Sequence, residues 1–225
     1  MVNAVRRFFK PRRPASRLSA ALRAMLKLTA AIALPFFVYV RASVYFYEHG
    51  ATPWLAVFGS MLLTIGVVTL YGTWLSRRFH GRARVALLVR WIGVPIATAW
   101  CLYAAFYLAS VNTKSDEVHG YYSSVHPILR VALSTVILLD PDLMITDMAR
   151  VPADYGRMRL RVNERTKHYL QPDGWVHAVD LRTRERGEIE NRSVQFYFWM
   201  MGFSTLRHVG TADHLHVQLR DRTGE

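Results

Sequence analysis

Thr211-Ala212-Asp213-His214-Leu215-His216-Val217-Gln218-Leu219 places an acid and two imidazoles within four consecutive positions and then alternates apolar with polar residues. Alternation of this kind is the period of a half-buried strand. Leu215, Val217 and Leu219 share one face, and His214, His216 and Gln218 share the other. With the apolar face on a core, both histidines look into a groove. Upstream lie Thr166-Lys167-His168 and His177-Ala178-Val179-Asp180-Leu181. These segments together offer the nitrogen and oxygen ligands of a zinc site with two His and one Asp, with a further acid left to act on water held there.

Parity also sorts the upstream candidates. On a strand over Trp175–Leu181, Asp180 shares its face with Ala178 and Val176, whereas His177 points the other way. His168, just before the turn signal Gln171-Pro172-Asp173-Gly174, is therefore the better partner for Asp180, with His177 as the alternative. The remaining signals predict helices over His126–Leu139, Ala153–Leu160 and Glu188–Met201. Gly202 closes the last of these, and Asp140-Pro141-Asp142 stops the first. Further strands are expected over Leu143–Ala149, which delivers Arg150 at its end, and over Phe203–Arg207. The pattern is that of an α+β domain with a small antiparallel sheet, over residues 123–225.

The first half reads differently. Up to Ser110 there are fourteen Lys or Arg and one acid, Glu48; from Val111 onward there are fifteen of each sign. The whole net charge of +13 thus lies before the folded domain. That argues against a nucleic-acid partner, because no basic field sits on the domain itself. Three apolar stretches, Leu26–Tyr47, Trp54–Leu75 and Val85–Ala109, are each long enough to cross a bilayer. The expected organisation is a basic cytoplasmic segment (1–25), a membrane α-helical anchor of three transmembrane helices (26–110), a linker (111–122) and the C-terminal domain. Arg77, Arg78, Arg82 and Arg84 in one loop, and eight basic residues before residue 28, place those segments in the cytoplasm by the positive-inside rule. The C-terminal domain is then expected on the extracytoplasmic face. The single cysteine, Cys101, excludes an intrachain disulfide and a thiolate metal cluster. Nothing in the sequence bears on oligomeric state.

The order of an Arg after a strand, then Thr-x-His, Ala-Val-Asp-Leu and Asp-x-x-His resembles the zinc D-alanyl-D-alanine carboxypeptidases and dipeptidases, with the related phage endolysins and murein endopeptidases. The resemblance covers roughly residues 125–220. It implies His168, Asp180 and His216 as zinc ligands, Asp213 as general base and Arg150 as a substrate-binding or oxyanion-stabilising arginine. His168 and Asp180 lie twelve apart, which is wider than the family's spacing and makes the Gln171–Gly174 turn an insertion. His214 is a group behind the ligands or an alternative base. The activity implied is that of a membrane-anchored zinc metallopeptidase acting on peptidoglycan peptides or their lipid-linked precursor, in particular a D,D-carboxypeptidase. Two other readings stay open: a non-catalytic zinc-containing module that binds wall peptides, and a structural membrane subunit whose outer domain docks a partner.

Overall fold

The computed structural model describes residues 17–80, 87, 89–157, 161, 163–210 and 213–221. The chain divides into two compact units, Met1–Leu34 and Pro35–Glu225, and the site lies within the second. Helix α1 (Arg17–Glu48) runs from the first unit into the second. It is followed by α2 (Pro53–His80), a single π turn (Val89–Gly93), α3 (Val94–Phe106), α4 (Pro127–Leu139) and α5 (Glu188–Met201). Strands β1 (Ile145–Asp147), β2 (Ala178–Arg182), β3 (Ser204–His208) and β4 (His214–Gln218) form one antiparallel sheet in the order β1-β2-β4-β3.

Three transmembrane helices are not supported. Among the described residues one helix is long and apolar enough to cross a membrane, Pro53–Arg78 of α2, with a mean hydropathy of 1.9 and 22% of its apolar window buried. The other two stretches fail for physical reasons. Leu26–Tyr47 lies inside α1, whose Tyr39, Val40, Val44 and Tyr47 are buried in the same core as α4 and the sheet. From Tyr39 to Tyr47 one side of the helix is therefore covered by protein, while Leu26 and Leu34 are exposed, and the sequence pattern does not distinguish cover by protein from cover by lipid. Of Val85–Ala109, the described part is a π turn and a 13-residue helix ending at Phe106. That helix falls short of the roughly 20 residues a crossing needs. Val85, Ala86 and Leu88 lie outside the described residues.

The C-terminal part fits the α+β expectation. α4 carries His126 at its N-cap, with the ring Nδ1 accepting the Ile128 N–H at 3.3 Å, and Pro127 at the first helical position, where a missing N–H costs nothing. Eleven of its thirteen residues are buried, so it is the central helix of the domain. In α5, Glu190 accepts from the Gly187 N–H at 3.0 Å at one end, and Gly202 takes φ +104° at the other. Residues 110–124 form short helical turns fastened by Asn112, which donates to the carbonyls of Pro141 and Leu143. α5 packs on the sheet through Val194 and Phe198, in one core with Leu215 and Val217, and α4 packs against α5. The opposite face carries the polar residues of β4.

Candidate metal centre

β2 and β4 pair so that Asp180 stands directly opposite His216. The histidine's Nδ1 lies 2.8 Å from Asp180 Oδ1. The third member arrives from a loop. The peptide of His168 is held by its carbonyl accepting the Arg150 N–H at 3.0 Å, while the neighbouring Lys167 carbonyl accepts the His177 N–H at 3.0 Å. This lacing along β2 brings His168 Nε2 to 3.3 Å from both Asp180 Oδ1 and His216 Nδ1. Two ligands on a tetrahedral ion with bonds of about 2.1 Å stand about 3.4 Å apart. Two of the three separations are already near that edge length, and the third is a hydrogen bond that an ion would open.

The protonation pattern also suits a cation. His168 Nδ1–H donates to the Met148 carbonyl at 2.6 Å, which leaves Nε2 as the atom that faces the cluster. His216 Nε2–H donates to Gln218 Oε1 at 3.1 Å, which leaves Nδ1 as the inward atom. His168 and Asp180 are buried, and His216 is partly so. Burial alone would raise the Asp180 pKa. Hydrogen bonds from His168 and His216, with the nearby imidazoles, outweigh it and hold the carboxyl well below the usual range. Burial likewise opposes protonation of His216, but the hydrogen bond and charge of Asp180 raise its pKa overall. Asp180 is therefore a fixed negative charge, and His216 holds a proton that a cation would have to displace.

A second group, His126, Asp173 and His177, also has donor atoms within 4.8 Å of one another, so among the described residues two groups of side chains could hold a metal ion by distance. Their hydrogen bonds separate them. Asp173 can only accept, so His177 Nε2, 3.0 Å from both of its oxygens, carries a proton. Because His126 Nδ1 accepts the Ile128 N–H, the proton of its neutral ring is on Nε2, 3.8 Å from Asp173 Oδ2. His126 Nε2 thus points a hydrogen at the carboxylate where a cation would need a lone pair, because its other nitrogen is taken up by an N–H donor, whereas His168 and His216 each set their outer nitrogen on a carbonyl oxygen. Tyr47 donates a further hydrogen bond to Asp173 at 3.3 Å. The group ties the 171–174 turn to α1 and α4. Burial lowers the His177 pKa, only partly offset by Asp173.

The remaining sequence candidates fall as follows. His177 faces away from Asp180 and meets Asp173. Arg150 comes to the cluster, but its guanidinium is engaged: Nε donates to Asp147 at 2.5 Å and Nη2 to Asp180 Oδ2 at 2.6 Å. Asp213 is engaged by other groups. Its carboxylate takes a paired contact from Arg207 at 2.8 and 3.1 Å and a hydrogen bond from Thr183, and these lower its pKa. His214 lies beside the cluster, with Nε2 3.8 Å from Asp180 Oδ1. Sequence reasoning missed Met148, Gln218 and the Asp173–His126 contact. Gln218 was legible, since it shares the strand parity of His216; a backbone carbonyl and a loop aspartate leave no such trace. Comparison with protein-family models, with curated proteins and with solved structures finds no match.

Proposed function

We propose that His168, Asp180 and His216 hold a zinc ion and that the chain is a zinc metallopeptidase acting on peptidoglycan peptides. The observation that carries this is the pair of second hydrogen bonds, His168 to Met148 and His216 to Gln218, which turn both inward nitrogens toward Asp180. Zinc held by two His and one carboxylate with a fourth position open supplies a Lewis acid and a water of near-neutral pKa. The donor set fits it: imidazole and carboxylate without thiolate suit zinc better than copper(I), and three protein ligands are the catalytic number.

The chain's own groups then divide the work. Arg150 fixes Asp180 by holding Oδ2, leaving Oδ1 for the ion. His214 is the group beside the cluster placed to accept and return a proton, because Asp213 is tied to Arg207 and Thr183. α2 is taken as the membrane-crossing helix. Its N-terminal Trp54 meets Trp175 of the domain, with ring centroids 6.3 Å apart, while Arg77 and Arg78 lie at its other end. The domain thus stands at the Trp54 end of α2, away from Arg77 and Arg78, and the wall-peptide reading requires that end to be extracytoplasmic, where wall peptides and the lipid-linked precursor are accessible.

The test is the full chain in lipid nanodiscs, assayed for bound zinc and for D-alanine released from a peptide ending in D-Ala-D-Ala. One equivalent of zinc with release abolished by a chelator supports the reading. Zinc without hydrolysis of any wall peptide would make it a binding module, and no zinc would remove the site.

A further inference from the structure

α5 has two apolar faces, and the fold uses one. Val194, Phe198 and Met201 are buried, whereas Ile189 is 84%, Phe196 58% and Trp199 59% exposed. The exposed face changes along its length. Its N-terminal end carries Glu188 and Arg192, ion-paired at 2.7 Å, and its C-terminal end carries Phe196, Trp199 and Met200.

The position of that apolar end gives the face a meaning. A Cβ at Gly202, the residue closing α5, would lie 2.9 Å from Arg41 Nη1 and 3.0 Å from Val44 Cγ1, so α5 ends against that turn of α1. The same turn is hydrogen-bonded to α2 through Ser43 and Ser60. Ser60 lies seven residues beyond Pro53, which is about 10 Å along the helix. The Gly202 end of α5, beside which Trp199 and Met200 stand, is thus placed next to the first third of the span. Interfacial helices bury an apolar face to a depth of about 5–10 Å, with aromatic rings at the headgroup boundary.

We propose that the outer face of α5, through Phe196, Trp199 and Met200, rests in the headgroup region of the bilayer. This rests on the reading of α2 as the membrane-crossing helix. The metal cluster occupies the other face of the sheet, so this seating aims it away from the lipid surface.

The experiment places a nitroxide label at one position at a time in the full chain in phosphatidylglycerol/phosphatidylethanolamine nanodiscs. A Cys101→Ser background retains a hydrogen-bonding group for Tyr39. Labels are introduced by Leu63→Cys in α2, by Phe196→Cys, Trp199→Cys and Ile189→Cys in α5, and by Arg184→Cys, which is exposed on the domain. Collision with oxygen reports lipid, and collision with a water-soluble nickel chelate reports solvent. The expected oxygen-to-nickel ratio at 196 and 199 is several-fold above that at 184 and below that at 63, with 189 close to 184. A lipid-like ratio at 63 with water-like ratios at 196 and 199 overturns the seating and leaves α2 standing. Shielding from both reagents at 196 and 199 means a protein covers the face and overturns it too. A water-like ratio at 63 removes the membrane reading of α2 and the proposal with it.

Discussion

Asp180 and His216 are cross-strand neighbours whose side chains meet at 2.8 Å over the middle of the β2–β4 pairing. Register alone places two of the three donors, because directly opposed residues on one face lie within about 5.5 Å at Cβ. The third depends on a loop, and its ring is aimed by one bond to the Met148 carbonyl.

Removal of a donor should therefore empty the site. His168→Ala, Asp180→Asn and His216→Ala are each expected to lose stoichiometric zinc in an elemental analysis of the purified chain. His177→Ala and His126→Ala should retain it, since both rings face Asp173 and not Asp180. Zinc lost from His177→Ala but kept in His168→Ala would reverse the assignment of the two groups.

The raised pKa of His216 makes zinc binding depend on pH in a defined sense. Without metal the ring keeps a proton that Asp180 stabilises, and an ion must displace it. Affinity should fall by up to about tenfold per pH unit below the raised pKa, with close to one proton released per zinc bound at that site. Stability of the metal-free chain should run the opposite way. A raised folded pKa contributes stability that is complete below the ordinary value of about 6.5 and is lost as pH rises through the folded value. Thermal unfolding at pH 6 and pH 8, with and without zinc, should show the two trends crossing; parallel trends would place the proton elsewhere.

Much of this centre is legible in the chain, and what is not has a common cause. Strand parity puts His216 with Asp180 and turns His177 away, because alternation is a local property of extended backbone. The end of α5 at Gly202 is equally local. The engagement of Asp213 is not local, since Arg207 reaches it through the β3–β4 pairing and Thr183 comes from the end of β2. The apolar stretches mislead for a related reason. Hydropathy records that a helix is covered, and α1 is covered from Tyr39 to Tyr47 by the domain's own core.

His214 and Asp213 should differ when changed. His214→Ala is expected to leave zinc bound and reduce turnover about 100-fold or more, within the range for a lost general base. Asp213→Ala removes a clamp: a modest loss of stability, on the order of 1 kcal/mol for a partly exposed pair, and turnover within about tenfold of the parent. The reverse ranking in kcat at saturating zinc would mean Asp213 leaves Arg207 during the reaction and acts as the base.

Arg150 is the residue whose role the structure changes most. The sequence expects it on substrate, yet its guanidinium bridges Asp147 and the outer oxygen of Asp180. A partner that holds a ligand carboxylate typically affects metal affinity by 10–100-fold. Arg150→Ala should therefore weaken zinc by that factor, and Asp147→Asn by less, because it loosens Arg150 without touching Asp180. If orienting Asp180 is its whole contribution, excess zinc should restore the Arg150→Ala turnover to within about tenfold of the parent. The same recovery is then expected for substrates ending in a free carboxylate and in an amide. A deficit that persists at saturating zinc only for the free carboxylate would show that Arg150 also leaves its acidic partners to grip the substrate's terminus.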